Sequence, residues 1–332
     1  MVYFADILTR KNDKCQSKAI FPGMSLTQVS THCIKVNIND VLLFCTIRNE
    51  KDRLLFFISY YKNLGINQFF IIDNNSTDHP EEILIKFPNL HLFHSNMSFE
   101  YTQTKYLKKI VGKFGKNHWC LIVDADEFFK FAFANILSIQ DLCHFLELKK
   151  TFCFKTLLLD MYSNKKLSCI HYCSGQNPWS ICPYYDHSGY ETFGGYVYGG
   201  VRARVFGLKK VLLTKYPLFK LTSSVHPEIW GVHKKPISKT TGVNGILFHF
   251  KFFQSFIFRA SEEAKREQHW KKAYEYKYYI SKNLPNLNLF SSNFSTKYKN
   301  FCQLLFLGIK VVDYDYIWFT IKIILKKLTK AL

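Results

Sequence analysis

Between residues 41 and 123 the chain alternates short apolar runs with segments of helical period, a pattern that few folds accept. Val41 to Ile47 is an apolar run of the kind a parallel sheet buries on both faces. Asp52 to Leu64 follows, with Leu54, Leu55, Ile58, Tyr61 and Leu64 at helical spacing and Gly65 placed as a stop. A second run, Gln68 to Ile72, ends in Asp73-Asn74-Asn75-Ser76-Thr77-Asp78, which combines turn chemistry with a helix cap. A short helix over Glu81 to Phe87, a strand over Leu90 to Phe93, a helix over Tyr101 to Phe114 and a strand over Trp119 to Val123 complete the series. The alternation predicts an α/β fold, an open and mostly parallel sheet with helices on both faces.

Sheets of this kind bind ligands outside the carboxyl ends of their strands. Three polar segments stand at such ends, Arg48-Asn49-Glu50, Asp73 to Asp78 and Asp124 to Glu127, so they should converge on one site. The last, Asp124-Ala125-Asp126-Glu127, packs three carboxylates into four residues directly after a buried-looking strand. Carboxylates so placed repel one another and lose solvation, and they persist best where a cation lies between them. Without a ligand, the same segments would be an acidic helix cap and a capped turn.

The length of 332 residues suits one large domain, or one domain with a smaller module. Lys and Arg outnumber Asp and Glu by 45 to 25, giving a net charge of +20 and a surface that attracts phosphates, acidic glycans, anionic lipid or nucleic acid. Residues 1–18 mix acidic, basic and polar side chains, unlike a signal peptide. The ten cysteines include no Cys-x-x-Cys pair and several lie in apolar runs, which fits buried reduced thiols in a cytoplasmic protein. Cys169, His171 and Cys173 have no second pair at zinc-binding spacing.

Beyond about residue 150 the pattern loosens. The glycine-rich stretch Gly194 to Arg202 reads either as a loop that brings backbone, with Gly199, Gly200 and Arg202, close to a ligand, or as a hairpin turn; the ligand loop is favoured because Arg202 and Arg204 follow directly. A long helix is expected over Ser255 to Lys282, with Glu262, Glu263, Lys265, Arg266 and Glu267 solvated. From Tyr314 to Leu332, apolar residues alternate with Lys322, Lys326, Lys327 and Lys330; the segment is either a basic amphipathic helix on a membrane surface or a helix docked on the domain.

Four blocks, CTIRNEKDRLLFFISYYKNLGINQFFIIDNNSTD (45–78), WCLIVDADEF (119–128), YGGVRARVFG (198–207) and LFHFKF (247–252), resemble in this order bacterial family 2-like glycosyltransferases of the GT-A fold. The resemblance covers about residues 41 to 280. It implies a leader over 1–40, a catalytic domain over 41–254 whose nucleotide-binding half ends near 130 and whose acceptor half runs over 131–254, and C-terminal helices over 255–332 with a possible membrane-surface segment at 314–332. It implies a nucleotide-sugar donor, a UDP-sugar first among them, held by Arg48, Asn49, Glu50, Asp73, Asn75 and Asp78, and a divalent cation, Mn²⁺ or Mg²⁺, at Asp124 and Asp126 with Glu127 in support. Such an ion stabilises the negative charge of a departing diphosphate. His249 matches by order the family's late histidine, which would contact the metal or the donor phosphates, although a lone histidine in an apolar strand is often only a core residue. The base that deprotonates the acceptor hydroxyl should lie between the glycine stretch and His249; Glu228, His226 and His233 are candidates there, and Glu191 just before the stretch is another. The Glu-Asp or Asp-Asp pair that many relatives use there is missing.

The expected function is transfer of a sugar to a glycan or lipid-linked acceptor in the building of a bacterial surface polysaccharide or lipopolysaccharide, in the cytoplasm or on the inner face of the membrane. A basic RNA-binding protein is the reading from another class, motivated by charge and aromatic content. Against it, the basic residues are dispersed, no RNP or helix-turn-helix pattern is present, and acidic loops occupy the would-be binding face, so no nucleic-acid partner is expected. A non-catalytic sugar-nucleotide binder is the third reading.

Overall fold

A computed structural model describes residues 25–30, 33–222, 232–233, 243–268, 270–307 and 311–329. Thirteen strands are present among them: β1 (Leu26–Gln28), β2 (Val41–Ile47), β3 (Gln68–Asp73), β4 (Leu90–Ser95), β5 (Trp119–Ile122), β6 (Glu127–Lys130), β7 (Cys153–Asp160), β8 (Tyr184–Asp186), β9 (Tyr190–Phe193), β10 (Tyr196–Gly199), β11 (Thr214–Lys220), β12 (Gly245–His249) and β13 (Ser295–Lys297). Nine of them form one sheet in the order β1-β4-β3-β2-β5-β11-β7-β12-β6. β2, β3, β4, β5, β7 and β12 run one way and β1, β6 and β11 the other, so six of the nine are parallel in direction. The α/β architecture expected from the alternation is the one observed.

The continuous apolar run of β2 is explained by its central place. Val41, Leu43, Cys45 and Ile47 face one core, shared with Leu54, Phe57, Ile58, Tyr61 and Leu64 of α1 (Lys51–Leu64). Leu42 and Phe44 face the other, against Leu107, Ile110 and Val111 of α2 (Leu107–Phe114). Gly65, at φ 103°, ends α1 in the left-handed conformation that glycine adopts most easily. On the first face α3 (Ile139–Leu148) also packs, its start fixed by a reciprocal capping box between Ser138 and Asp141.

Three expectations need correction. The glycine stretch is a β-hairpin: β9 and β10 pair antiparallel with the turn at Gly194 and Gly195, and α4 (Gly200–Phe206) starts directly after β10. Gly199 has φ +109°, and a Cβ there would lie 2.1 Å from the Gly189 carbonyl oxygen, so what demands glycine is contact between two segments of this chain. Gly199→Ala should therefore destabilise the protein by about 1–3 kcal/mol in a denaturant titration; an unchanged midpoint would refute this close approach. The long C-terminal helix is two, α5 (Ser255–Arg266) and α6 (Trp270–Ile280), broken where Glu267 turns to φ 52° and pairs with Lys277 at 2.5 Å. Within its charge run Glu263 is buried and bonds Arg266 at 2.7 Å, whereas Glu262 and Lys265 are solvated. Finally, Cys33 is disulfide-bonded. Cys45, Cys120, Cys143, Cys153 and Cys182 are buried free thiols, and Cys169, Cys173 and Cys302 are exposed ones.

The last helix, α7 (Tyr314–Thr329), docks on the first core. Tyr316 is fully buried between Phe133 and Phe145 and donates a 2.9 Å hydrogen bond to the Ala132 carbonyl. No helix among the described residues is long and apolar enough to cross a membrane.

Candidate active site

One feature of the sheet order builds the site. β5 and β6 are joined by only Val123 to Asp126, yet β11, β7 and β12 lie between them in the sheet. Four strand spacings are about 19 Å across a flat sheet, and the connection from Ile122 to Glu127 reaches at most about 18 Å. The sheet must therefore curl, and the acidic segment crosses the ends of the intervening strands. β7 and β12 are parallel to β5 and present their carboxyl ends there, Asp160 and His249; β11 is antiparallel and presents its start, Lys215. The β12 register sets His249 opposite both Asp160 and Glu127.

The crossing brings opposite charges together in a buried setting. His249 Nε2 lies 3.3 Å from Asp126 Oδ2, and its Nδ1 lies 2.5 Å from Asp160 Oδ1. Arg202 grips Asp160 with two 2.8 Å hydrogen bonds and reaches Glu275 Oε2 at 3.3 Å. Burial would lower the pKa of His249, but the two carboxylates raise it above the ordinary value, so the ring holds a proton readily. Burial would likewise raise Asp126; His249, helped by Arg53 and Arg259, holds it well below the usual carboxylate range. Asp160 is also held low, against burial, by Arg202 and His249.

A second pair closes the other side. Lys215 Nζ contacts the Glu127 carboxylate and lies 3.7 Å from Asp124 Oδ2. Burial disfavours its charge, yet Glu127 and Asp124 raise its pKa, so the ammonium persists. Burial pushes Glu127 upward in spite of Lys215. Asp124 differs from its neighbours because its side chain is 43% exposed at the mouth of a recess lined by Thr46, Gln103, Val123, Glu127 and Lys215. The Thr46 hydroxyl is buried and has no hydrogen-bond partner among the described residues.

The first two strand-end loops are knitted together. Thr77 N–H donates to Asn49 Oδ1 at 2.8 Å, Asn49 N–H to Ser76 Oγ at 3.0 Å, Lys51 N–H to Asp78 Oδ2 at 2.8 Å and Arg48 Nη1 to the Asn74 carbonyl at 3.0 Å. Asn49 and Asn75 stand at φ 52° and 55°, left-handed turns that asparagine tolerates. Asp73 accepts from Ser76 N–H at 3.2 Å and lies 3.3 Å from His94 Nδ1. Glu50 is gripped by Arg53 at 2.8 Å and by Arg259, and Arg53 donates to the Phe250 carbonyl at 2.6 Å. A cleft of about 330 Å³ opens beside this pair, between Asp52, Tyr172, Gln254 and Phe258.

The strand-end residues Arg48, Asn49, Glu50, Asp73, Asn75, Asp78, Asp124, Asp126 and His249 thus lie at one end of the strands, across the carboxyl ends of the parallel ones. Arg202 lies inside the protein and holds Asp160, and Glu191 is exposed on β9. Glu228 and His226 fall outside the described residues. His233 Nδ1 lies 3.0 Å from the Thr214 carbonyl, and since that oxygen only accepts, the ring is the donor. Burial and the Lys215 charge bring its pKa down to about 3, so it is neutral near pH 7.

Asp160, Lys215 and Lys251 were not read from the sequence as site residues. Lys251 is half-buried over the rings of Tyr276 and Tyr279, 4.6 and 4.8 Å from their centroids, and burial followed by Arg202 lowers its pKa. Two of the three carry a signal: Asp160 ends an apolar run as Asp73 does, and Lys215 interrupts one.

Among the described residues no group of three or more His, Cys, Asp or Glu side chains forms a metal cage. Asp124 and Asp126 nevertheless suit a hard cation, since Mg²⁺ commonly takes one or two carboxylates and completes its shell with water and phosphate oxygens. The Cys169, His171 and Cys173 segment forms no such group either.

No protein-family model and no curated protein matches the chain. Among solved structures, similarity is found to UDP-glucose pyrophosphorylase from Acinetobacter baumanii, at 9% identity and a TM-score of 0.33, covering 73% of this chain and 98% of that one. Mannose-1-phosphate geranyltransferase from Thermus thermophilus is similar at 10% identity and a TM-score of 0.27, covering 84% of this chain and 70% of that one.

Proposed function

We propose that this chain is a glycosyltransferase that takes a sugar from a nucleotide-sugar donor, a UDP-sugar first among them, and passes it to a glycan or lipid-linked acceptor. The observation that carries the reading is the convergence of Asp124, Asp126, Asp160, His249 and Lys215 at one end of a sheet whose neighbouring loops, at Asn49 and Asp73, are pre-shaped by mutual hydrogen bonds. The motif order that resembles family 2-like glycosyltransferases supports it. A divalent cation held by Asp124 and Asp126 would offset the charge of a departing diphosphate.

In this reading Asp73 accepts hydrogen bonds from the ribose or base, and Asn49 and Asn75 shape the loop that receives them. Asp126, kept ionised by His249, supplies a carboxylate that stays charged when substrate excludes water. His249, held by Asp126 and Asp160 through both ring nitrogens, adds positive charge behind the phosphate site. Lys215 holds Glu127 and lies close to the mouth, where its ammonium adds positive charge. The acceptor base belongs to the segment that includes His226 and Glu228, with Glu228 the first choice; neutral His233 has too low a pKa to serve well. Surface polysaccharide or lipopolysaccharide synthesis on the cytoplasmic face of a bacterial membrane is the setting we assign.

The test is a thermal-shift series with UDP-, GDP- and CMP-sugars, each with and without Mn²⁺. A ligand at about a hundred times its Kd stabilises the folded state by about 2.7 kcal/mol, which should raise the midpoint by several degrees for one nucleotide and by more when Mn²⁺ is present. Failure of every nucleotide sugar to move the midpoint would sink the reading.

A further inference from the structure

The helix α7 has two apolar faces, and the domain uses one. Tyr316 and Thr320 are buried against the body of the protein, and Phe319 packs on Phe145. On the opposite side Tyr314, Ile317, Trp318, Ile321, Leu325 and Leu328 are each 40–71% exposed. Positions 314, 318, 321, 325 and 328 alternate four and three apart, the spacing that keeps side chains on one helical face. A helix needs only one apolar face to dock, and six large apolar side chains in one stripe are more than scattered surface exposure supplies.

Charge decides what covers the stripe. Lys322 and Lys326 are exposed along one border and have no acidic partner among the described residues. Lys327, seven residues after buried Thr320, turns toward the domain, where it donates to the Ile136 carbonyl at 2.7 Å and lies 3.6 Å from Asp141. The one acid within α7, Asp315, is paired with Lys149. A second copy of this chain would set the same lysines against one another with no free acid on the stripe, the reverse of the complementary flanks that helix pairs use. An apolar stripe flanked by a row of unpaired lysines is what an anionic bilayer surface takes up, the apolar side chains entering the acyl boundary and the ammonium groups remaining at the phosphates. With three lysines in its last eight residues α7 does not span the bilayer; it lies in the plane of the interface.

We infer that the outer face of α7 is a membrane-docking surface for anionic lipid, seated through Trp318, Ile321, Leu325 and Leu328 and steered by Lys322 and Lys326. The inference does not depend on the transferase reading. It places the whole strand-end site on a body tethered by one edge to a lipid surface.

The test uses the full chain with sedimenting vesicles, one set of phosphatidylcholine alone and one in which about a third of the lipid is phosphatidylglycerol. The wild-type protein should pellet with the anionic set and bind the neutral set at least about tenfold more weakly. The double variant Lys322→Glu, Lys326→Glu should weaken anionic binding by at least about 25-fold, from roughly fivefold for each lysine lost. Leu325→Glu should abolish binding to both sets, with Leu328→Ser as a second, milder variant. All these side chains are exposed, so melting midpoints should match the wild type and exclude misfolding as the cause. Wild-type protein that stays in the supernatant with anionic vesicles overturns the inference. So does a dimer in light scattering that Leu325→Glu dissolves while lipid binding is unchanged.

Discussion

Asp126→Asn is expected to lower sugar transfer by about 10²–10³-fold, the usual cost of removing one preorganised charge from a transition state, while the protein stays folded. The amide keeps the shape of the carboxylate and can still accept a hydrogen bond from His249 at the position now 3.3 Å away. What it loses is the negative charge, and with it a main reason that His249 holds a proton above its ordinary pKa. Two readouts should therefore move together: turnover falls, and any dependence of nucleotide-sugar binding on Mn²⁺ is weakened. Normal transfer by a well-folded Asp126→Asn protein would remove Asp126 from the chemistry and, with it, the central role assigned to the acidic segment.

Arg202→Met should produce the largest loss of stability, about 3–5 kcal/mol in a denaturant titration, because it strips a buried carboxylate of its two-bond partner and leaves His249 to hold it. Asp160 accepts both of the 2.8 Å bonds from Arg202 and is itself buried. Pairing Arg202→Met with Asp160→Asn removes both charges, and most of the loss should be recovered, giving a coupling energy of opposite sign to the single changes. The same pair sets a pH signature. Since the folded pKa of Asp160 is depressed, its contribution is fully present above the unfolded carboxylate value of about 3.9 and is lost as pH falls through the folded value. The stability gap between wild type and the Arg202→Met variant should therefore be widest above about pH 5 and shrink on acidification. A gap that is independent of pH, or single and double variants of equal stability, would mean that the pair contributes by packing alone.

The half of the fold that the sequence reveals is the half built from neighbours. β2 to β5 are parallel and joined by helices close along the chain, so each apolar run is followed by the segment that covers it. The rest depends on partners far apart in sequence. β11 enters between β5 and β7 antiparallel, nearly a hundred residues after β5, and nothing in Thr214 to Lys220 declares that position. Asp124 and Asp126 are legible because the strand that delivers them is adjacent; Lys215 and Asp160 meet them only through the sheet order. Arg202 misleads for a related reason. It follows two glycines, as a ligand-binding arginine could, but α4 turns it inward onto Asp160. Spacing tells which residues share a helix, and only packing tells which way that helix faces.

The short bridge from β5 to β6 also limits how this protein can diversify. Adding one residue between Ile122 and Glu127 would slide β6 by one position, and because side chains alternate across a strand, Glu127 would change places with Phe128. Lys215 would then meet a phenyl ring, and a carboxylate would be driven in among Phe57, Tyr61 and Trp179. The bridge therefore has a fixed length, and the segment after β3 is held as tightly by its hydrogen bonds to the loop after β2. Length changes are thus excluded at the charged crossing and at the loops beside it, and any variation has to fall in segments that do not border them.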